Sequence, residues 1–203
     1  MSRTKKTHYA LLGLLSWKPM SGYDIKKIVD MGLSHFWNEN YGQIYPTLAQ
    51  LVRDGLATKT SDSGSGKRAR NLYRITPQGE QAFRDWLAEP TAVPTVRNEL
   101  QLKFFLGSKQ PVRQSVQLIR GYRKQQQAQL VEYQLSEQIL RQAIASGDYP
   151  TEVAEIFDGH DRPPTAKQKA KQCRIFLLTL RHGILAVEAR IQWCDEVLQE
   201  LTS

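Results

Sequence analysis

Pro46 stands inside an apolar stripe of helical spacing, Ile44, Leu48, Leu51 and Val52, that runs up to Gly55. A proline has no amide hydrogen, and its ring clashes with the carbonyl four residues back, so a helix-interior position costs roughly 3 kcal/mol or more. In the first turn that cost largely disappears, because those amides have no intrahelical acceptor to lose. The stripe can therefore be a helix only if it starts near Gly42 or Gln43, with Gly55 ending it in the left-handed cap conformation. This start sets the facing of every residue that follows. Ile44, Leu48, Leu51 and Val52 are expected against a core, and Gln43, Tyr45, Thr47 and Gln50 on the other faces.

The flanking segments supply a domain around that helix. A helix over residues 5–17 carries Tyr9, Leu11, Leu12, Leu14 and Leu15, too many apolar groups for one wet face. Ser21 with Asp24 three residues on resembles a capping box and opens a helix over 22–31. Beyond Gly55, residues 56–61 and 71–75 read as two strands around a glycine-serine tip bearing Lys67, Arg68 and Arg70, a β-hairpin with Lys59 beside it. Thr76 and Pro77 then begin a fourth helix as N-cap and first residue, with Phe83, Trp86 and Leu87 expected on its buried face. Three helices followed by a basic hairpin is the order of a winged helix-turn-helix domain.

Two prolines within residues 89–94 mark a boundary, giving domains 1–90 and 91–203. The second is all helical: segments 96–106 and 112–146, a stretch 147–164 read as a loop from Pro150, Gly159, Pro163 and Pro164, and a last long helix. In that helix Cys173, Leu177, Leu180, Ile184, Val187, Ile191, Cys194, Leu198 and Leu201 alternate spacings of four and three, a heptad seam. Leu177, Leu180, Ile184, Val187, Ile191 and Leu198 are assigned to dimerisation, although an intrachain helix pair would carry the same periodicity. The fold class is mainly α: a winged helix-turn-helix domain, then a helical dimerisation domain.

Charge and reactive residues narrow the function. The 28 basic and 20 acidic residues leave a formal charge of +8, which favours an anionic partner. Arg3, Lys5 and Lys6 before an apolar run imitate a secretory signal, but Lys18-Pro19-Met20 follows instead of a small-x-small cleavage site. Cys173 and Cys194 lie some 31 Å apart along one helix at roughly 1.5 Å per residue and cannot bridge within a chain. A reducing cytoplasm suits them. His8, His35, His160 and His182 show no metal-ligand spacing, and there is no phosphate-binding glycine loop or nucleophile motif, so no metal, cofactor or enzymatic activity is expected. Trp17, Trp37, Trp86 and Trp193 are expected to serve packing.

Double-stranded DNA fits the remaining chemistry. The N-terminal part of the second helix of such a motif meets base edges in the major groove. Gln43 or Gln50 could bond an adenine edge in bidentate fashion, Thr47 could offer a hydroxyl or a methyl, and the Tyr45 hydroxyl could reach a phosphate. Lys59, Lys67, Arg68 and Arg70 would contribute sequence-independent affinity by releasing counterions. The competing reading is a winged helix that contacts another protein, and steep salt dependence would separate the two.

The stretch Gly42-Gln43-Ile44-Tyr45-Pro46-x-Leu48-x-x-Leu51-x-x-x-Gly55-Leu56, with Arg70-x-x-Tyr73-x-Ile75-Thr76-x-x-Gly79, resembles the PadR family of bacterial transcriptional regulators. Ser21-Gly22-Tyr23-Asp24-Ile25 is similar to its second helix; Val52 departs from the acid the family often places there. Residues 94–103 and 191–198 look like the C-terminal domain of the family's longer branch, which includes virulence gene activators. The resemblance implies a homodimer held by C-terminal helices on a pseudo-palindromic operator, often with a small effector between domains. Apart from the resemblance, 40% hydrophobic and 24% charged residues are ordinary for a soluble globular protein, so no membrane partner is expected. Repression is the default expectation, because occupying a promoter needs no further contact.

Overall fold

The computed structural model describes residues 3–30, 37, 41–62, 70–91, 97–157 and 163–203. Along the described chain run α1 (Arg3–Leu15), β1 (Met20–Ser21), α2 (Gly22–Ile28), α3 (Ile44–Arg53), β2 (Ala57–Asp62), β3 (Arg70–Ile75) and α4 (Pro77–Ala88). Then come α5 (Glu99–Leu106), α6 (Val112–Ser146), α7 (Thr151–Phe157) and α8 (Ala166–Thr202). The strands form one antiparallel sheet in the order β1-β3-β2. The chain divides into two compact units, residues 1–91 with 151–163, and residues 92–150 with 164–203. Among the described residues no helix is long and apolar enough to cross a membrane.

In the first unit, short-range chemistry sets each helix start. Ser21 Oγ accepts from the Asp24 amide at 3.2 Å while the Ser21 amide donates to Asp24 Oδ2 at 2.9 Å, a complete capping box. A 3-10 turn over Tyr41–Gln43 leads into α3, which places Pro46 in the first helical turn, and Gly55 follows with φ +72°. Thr76 Oγ1 accepts from the Gly79 amide at 3.0 Å and donates to the Gly55 carbonyl at 2.8 Å, so the start of α4 is latched to the end of α3. Leu12, Leu15, Met20, Ile25, Leu48 and Leu51 are fully buried at the centre. Tyr9 of α1 stacks on Trp86 of α4 with ring centroids 5.0 Å apart.

Three expectations change here. Leu87 is 62% exposed, so α4 packs through half-buried Phe83 and Trp86 without it. The strand β1 was not legible, because two residues are too few to show alternation. Residues 147–164 are not simply a loop, since they contain α7: Pro150 stands just ahead of the first helical residue, where a missing amide hydrogen is harmless, and Ile156 is buried.

The second unit is built on α6 and α8, which run antiparallel. Tyr133 of α6 packs with Leu180, Ile184 and Val187 of α8, flanked by Leu130, Leu140 and Ile191. Gly183 leaves room for the Tyr133 ring, since a Cβ there would lie 3.0 Å from it. The register is set by paired polar groups: Arg123 with Asp195 in bidentate fashion, Gln126 with Arg190 at 3.3 Å, Glu137 with Arg181 at 3.6 Å, and Asp148 with Lys169 at 2.6 Å. This corrects the assignment of the heptad seam. Leu177, Leu180, Ile184, Val187 and Ile191 lie on the side of α8 that meets α6 of the same chain, with Leu198 half-buried further along, so the seam is occupied before any partner arrives.

Two outcomes follow from this packing. A Cβ on Gly79 would stand 2.1 Å from the Leu56 carbonyl oxygen, so Gly79→Ala must force the α4 start away from the backbone leading into β2. The expected loss is about 2–3 kcal/mol or more, read as a lowered urea midpoint; an unchanged midpoint would contradict the close approach. Cys173 and Cys194 are fully buried, and burial first, then the charges of Asp148 and Asp195 respectively, pushes their thiols above the ordinary range. With the thiolate disfavoured, neither should react with a thiol reagent at pH 8 until the protein is unfolded.

Candidate nucleic-acid interface

The front of α3 packs closely against the start of α2. Gly22, the first residue of α2, is buried, and a Cβ on it would lie 2.5 Å from Cε1 of Tyr45. The Tyr45 ring rests where that side chain would be, yet Tyr45 remains 59% exposed. Gln43, just ahead of α3, is exposed as well. Tyr23, adjacent to Gly22, is 65% exposed, so the two helices of the motif present two phenols at one corner.

The wing is attached to the same corner. β1 pairs with β3 through Met20↔Tyr73 and Ser21↔Leu72, so the strand that leads directly into α2 is hydrogen-bonded to the hairpin. Tyr73 is buried, and burial first and the neighbouring Tyr45 second raise its pKa, which keeps it a neutral phenol. From there β3 extends to Arg70, three residues away, or about 10 Å at roughly 3.3 Å per residue.

Not every expected residue reaches this surface. Thr47 is a correction: it is 3% exposed, because the buried stripe of α3 is Ile44, Thr47, Leu48 and Leu51, with Val52 only half-buried. The stripe is turned toward Thr47 from where the sequence placed it, and a residue on that face cannot meet a base. Gln50 is half-buried, and its amide is engaged at both ends, donating to Asp54 at 2.6 Å and accepting from Arg53 at 2.5 Å. Lys59 and Arg70 are both exposed, but Lys59 lies opposite Tyr73 and Arg70 opposite Asp62. Directly opposed residues share a face and successive residues alternate, so these two cations stand on opposite faces of the hairpin. Lys67 and Arg68 lie outside the described residues.

Two further exposed groups join the surface without having been expected from the sequence. Arg74 shares a face with Arg70, a pattern visible as the alternation Arg70-x-Leu72-x-Arg74. Tyr23 carries a signal too, as a large aromatic directly after the glycine of a capped helix start. The arrangement can present a glutamine and two phenols beside a strand hairpin with cations on both faces. Such a surface suits a groove edge flanked by phosphates.

Residues 11–85 match the family described as the transcriptional regulator PadR-like family, and residues 96–202 match the virulence activator alpha C-term family. The negative transcriptional regulator PadR of Bacillus subtilis is 33% identical over 127 residues, 62% of this chain and 70% of that protein. The crystal structure of that PadR with operator DNA matches at a TM-score of 0.72 and 23% identity, covering 96% of this chain and 98% of the other. Its complex with p-coumaric acid also matches at 0.72, with 23% identity, over 100% of this chain and 99% of the other. The Vibrio cholerae virulence activator AphA matches at 0.67 with 28% identity over 96% and 97% of the two chains.

Proposed function

This chain belongs to the PadR-like family of DNA-binding transcriptional regulators, and on that premise we propose that it acts as a homodimeric repressor of a pseudo-palindromic operator in the cytoplasm, released or retained by a small effector. The observation that carries the reading is the exposed front of α3. Gln43 and Tyr45 point outward while Ile44, Leu48 and Leu51 are spent on the core, and the wing is bonded to the strand that starts α2.

In this mechanism Gln43 reads a base edge in the major groove, and Tyr45 and Tyr23 fix the helix against phosphates. Lys59 and Arg70, facing opposite ways, let the wing touch both phosphate walls of one groove, and Lys67 and Arg68 add to its charge. The residues 1–90 supply the reading head and residues 91–203 the pairing. The Bacillus subtilis relative, a negative regulator with structures on operator DNA and on p-coumaric acid, supports repression and effector control in kind.

Selection of bound oligonucleotides from a random pool by the purified chain tests the whole reading. A palindromic consensus is expected, with half-sites about one helical turn, roughly 34–36 Å, or a multiple of it apart. No enrichment at low salt would end the proposal.

Replacing Lys59 and Arg70 together by alanine should weaken binding to all sequences alike. It should also flatten the plot of log affinity against log salt by about 0.9 for each phosphate that is no longer neutralised. An unaltered slope would mean that these cations do not touch the backbone. Gln43→Ala should instead cost about 1–3 kcal/mol of discrimination at one base position, whereas Thr47→Val should leave the ranking of selected sites as it was. If the ranking moves with Thr47 and not with Gln43, α3 meets DNA through the opposite face and the assignment of Gln43 fails.

A further inference from the structure

The side of α3 opposite its buried stripe offers a single hydrogen-bonding side chain. Ile44, Thr47, Leu48 and Leu51 are spent on the core, and the helical repeat then sets Pro46, Ala49 and Arg53, spaced by three and four, furthest from it. All three are exposed. Pro46 and Ala49 have no polar side-chain atom, so the chemistry this row can bring to a groove comes from Arg53. Its guanidinium is tethered. Arg53 Nη2 donates to Gln50 Oε1 at 2.5 Å, and Gln50 Nε2 in turn donates to Asp54 Oδ1 at 2.6 Å. These contacts draw the arginine back over the preceding turn, the direction in which helical side chains already lean.

We infer that Arg53 is a specificity-determining residue that reads a guanine in the major groove, and that Gln50 is the positioning residue that aims it. This deepens the DNA-binding reading above and rests on it. A guanidinium carries five N–H donors in one plane. The Gln50 contact takes one hydrogen of Nη2 and leaves an edge with two parallel donors free, which matches O6 and N7 of guanine. A phosphate is the poorer fit, because the exposed Asp54 carboxylate belongs to the same network. An anion there opposes a phosphate far more than it opposes an uncharged base edge. Gln50 acts on DNA only through Arg53, since both ends of its own amide are engaged. From Gln43 to the turn of Gln50 is about 10 Å at roughly 1.5 Å per residue, or about three base pairs at roughly 3.4 Å each.

Selection of oligonucleotides from a random pool by the full chain, wild type beside Arg53→Ala and Gln50→Ala, tests both roles. The wild type should enrich a guanine in each half-site, about three base pairs from the position that Gln43→Ala relaxes. Arg53→Ala should lower the preference for that guanine about 5- to 150-fold, the span of one bidentate base contact. The other positions should keep their preferences, and the slope of log affinity against log salt should not move. Gln50→Ala should reduce discrimination at the same guanine by a smaller factor, whereas a merely structural role in α3 would weaken binding to all sequences alike. Both variants should stay folded by circular dichroism, because Arg53 is exposed and Gln50 half-buried. A uniform loss of affinity with a flatter salt slope in Arg53→Ala would make the residue a phosphate contact and overturn its assignment to a base, as would an unchanged consensus. If Gln50→Ala weakens every site equally, the positioning role falls and Arg53 stands as the reader. A wild type that enriches nothing at low salt ends the DNA reading itself, a result separate from all of these.

Discussion

The exposed corner formed by α2 and α3 depends on a missing side chain. Gly22 begins α2 with its backbone under the ring of Tyr45, and any Cβ there would fall 2.5 Å from that ring. Three separate devices converge on the neighbouring residues. Met20 and Ser21 pair with β3, Ser21 and Asp24 exchange hydrogen bonds as a capping box, and Gly22 admits α3. The strand fixes the wing, the cap fixes the axis of α2, and the glycine fixes how closely α3 approaches. A tyrosine lodged this way packs against the start of α2 while most of the residue stays exposed, which limits the orientations open to its ring before any ligand arrives. Pre-positioning of that kind lowers the ordering cost of binding.

Features decided within four residues were legible in the sequence. Pro46 in a first turn, Gly55 in the left-handed conformation, the Ser21–Asp24 box, and Thr76 with Pro77 each follow from local chemistry that does not depend on the rest of the chain. Facing was harder. Thr47 reads as surface because threonine is polar, but three residues after Ile44 and four before Leu51 it lies on the buried stripe. β1 was hidden by its length, and α7 by Pro150, which reads as a breaker and stands as a start.

The heptad seam shows a different limit. Periodicity identifies a face and is silent about what covers it. The partner, α6, was hard to recognise because its buried row mixes Ile119 and Tyr133 with Gln126, and its flank carries Gln129 and Glu137. Each polar member is answered by a specific group: Gln126 by Arg190, Glu137 by Arg181 and Arg141, and the Tyr133 hydroxyl by Gln129. Such pairs add little net stability where they are exposed, but misregister would leave Gln126 buried and unpaired, which is costly. The polar residues that hid α6 as a partner are those that set its alignment.

The charge order of α8 runs against its own backbone. The N-terminal end of a helix is the positive end of its dipole, so cations in the first turn are disfavoured by a few tenths to about 1 kcal/mol each. Lys169 is answered within the chain, 2.6 Å from Asp148 and 5.7 Å over the ring of Tyr149. Lys167, Lys171 and Arg174 are exposed. The acids toward the other end are answered within the chain as well, Asp195 by Arg123 of α6 and Glu196 by the Gln192 amide at 3.0 Å. The charges that run against the dipole of α8 are thus partly offset by its own contacts with α6 and along its own face, and the ion pairs that set the register of the two helices also lower the cost of that charge order.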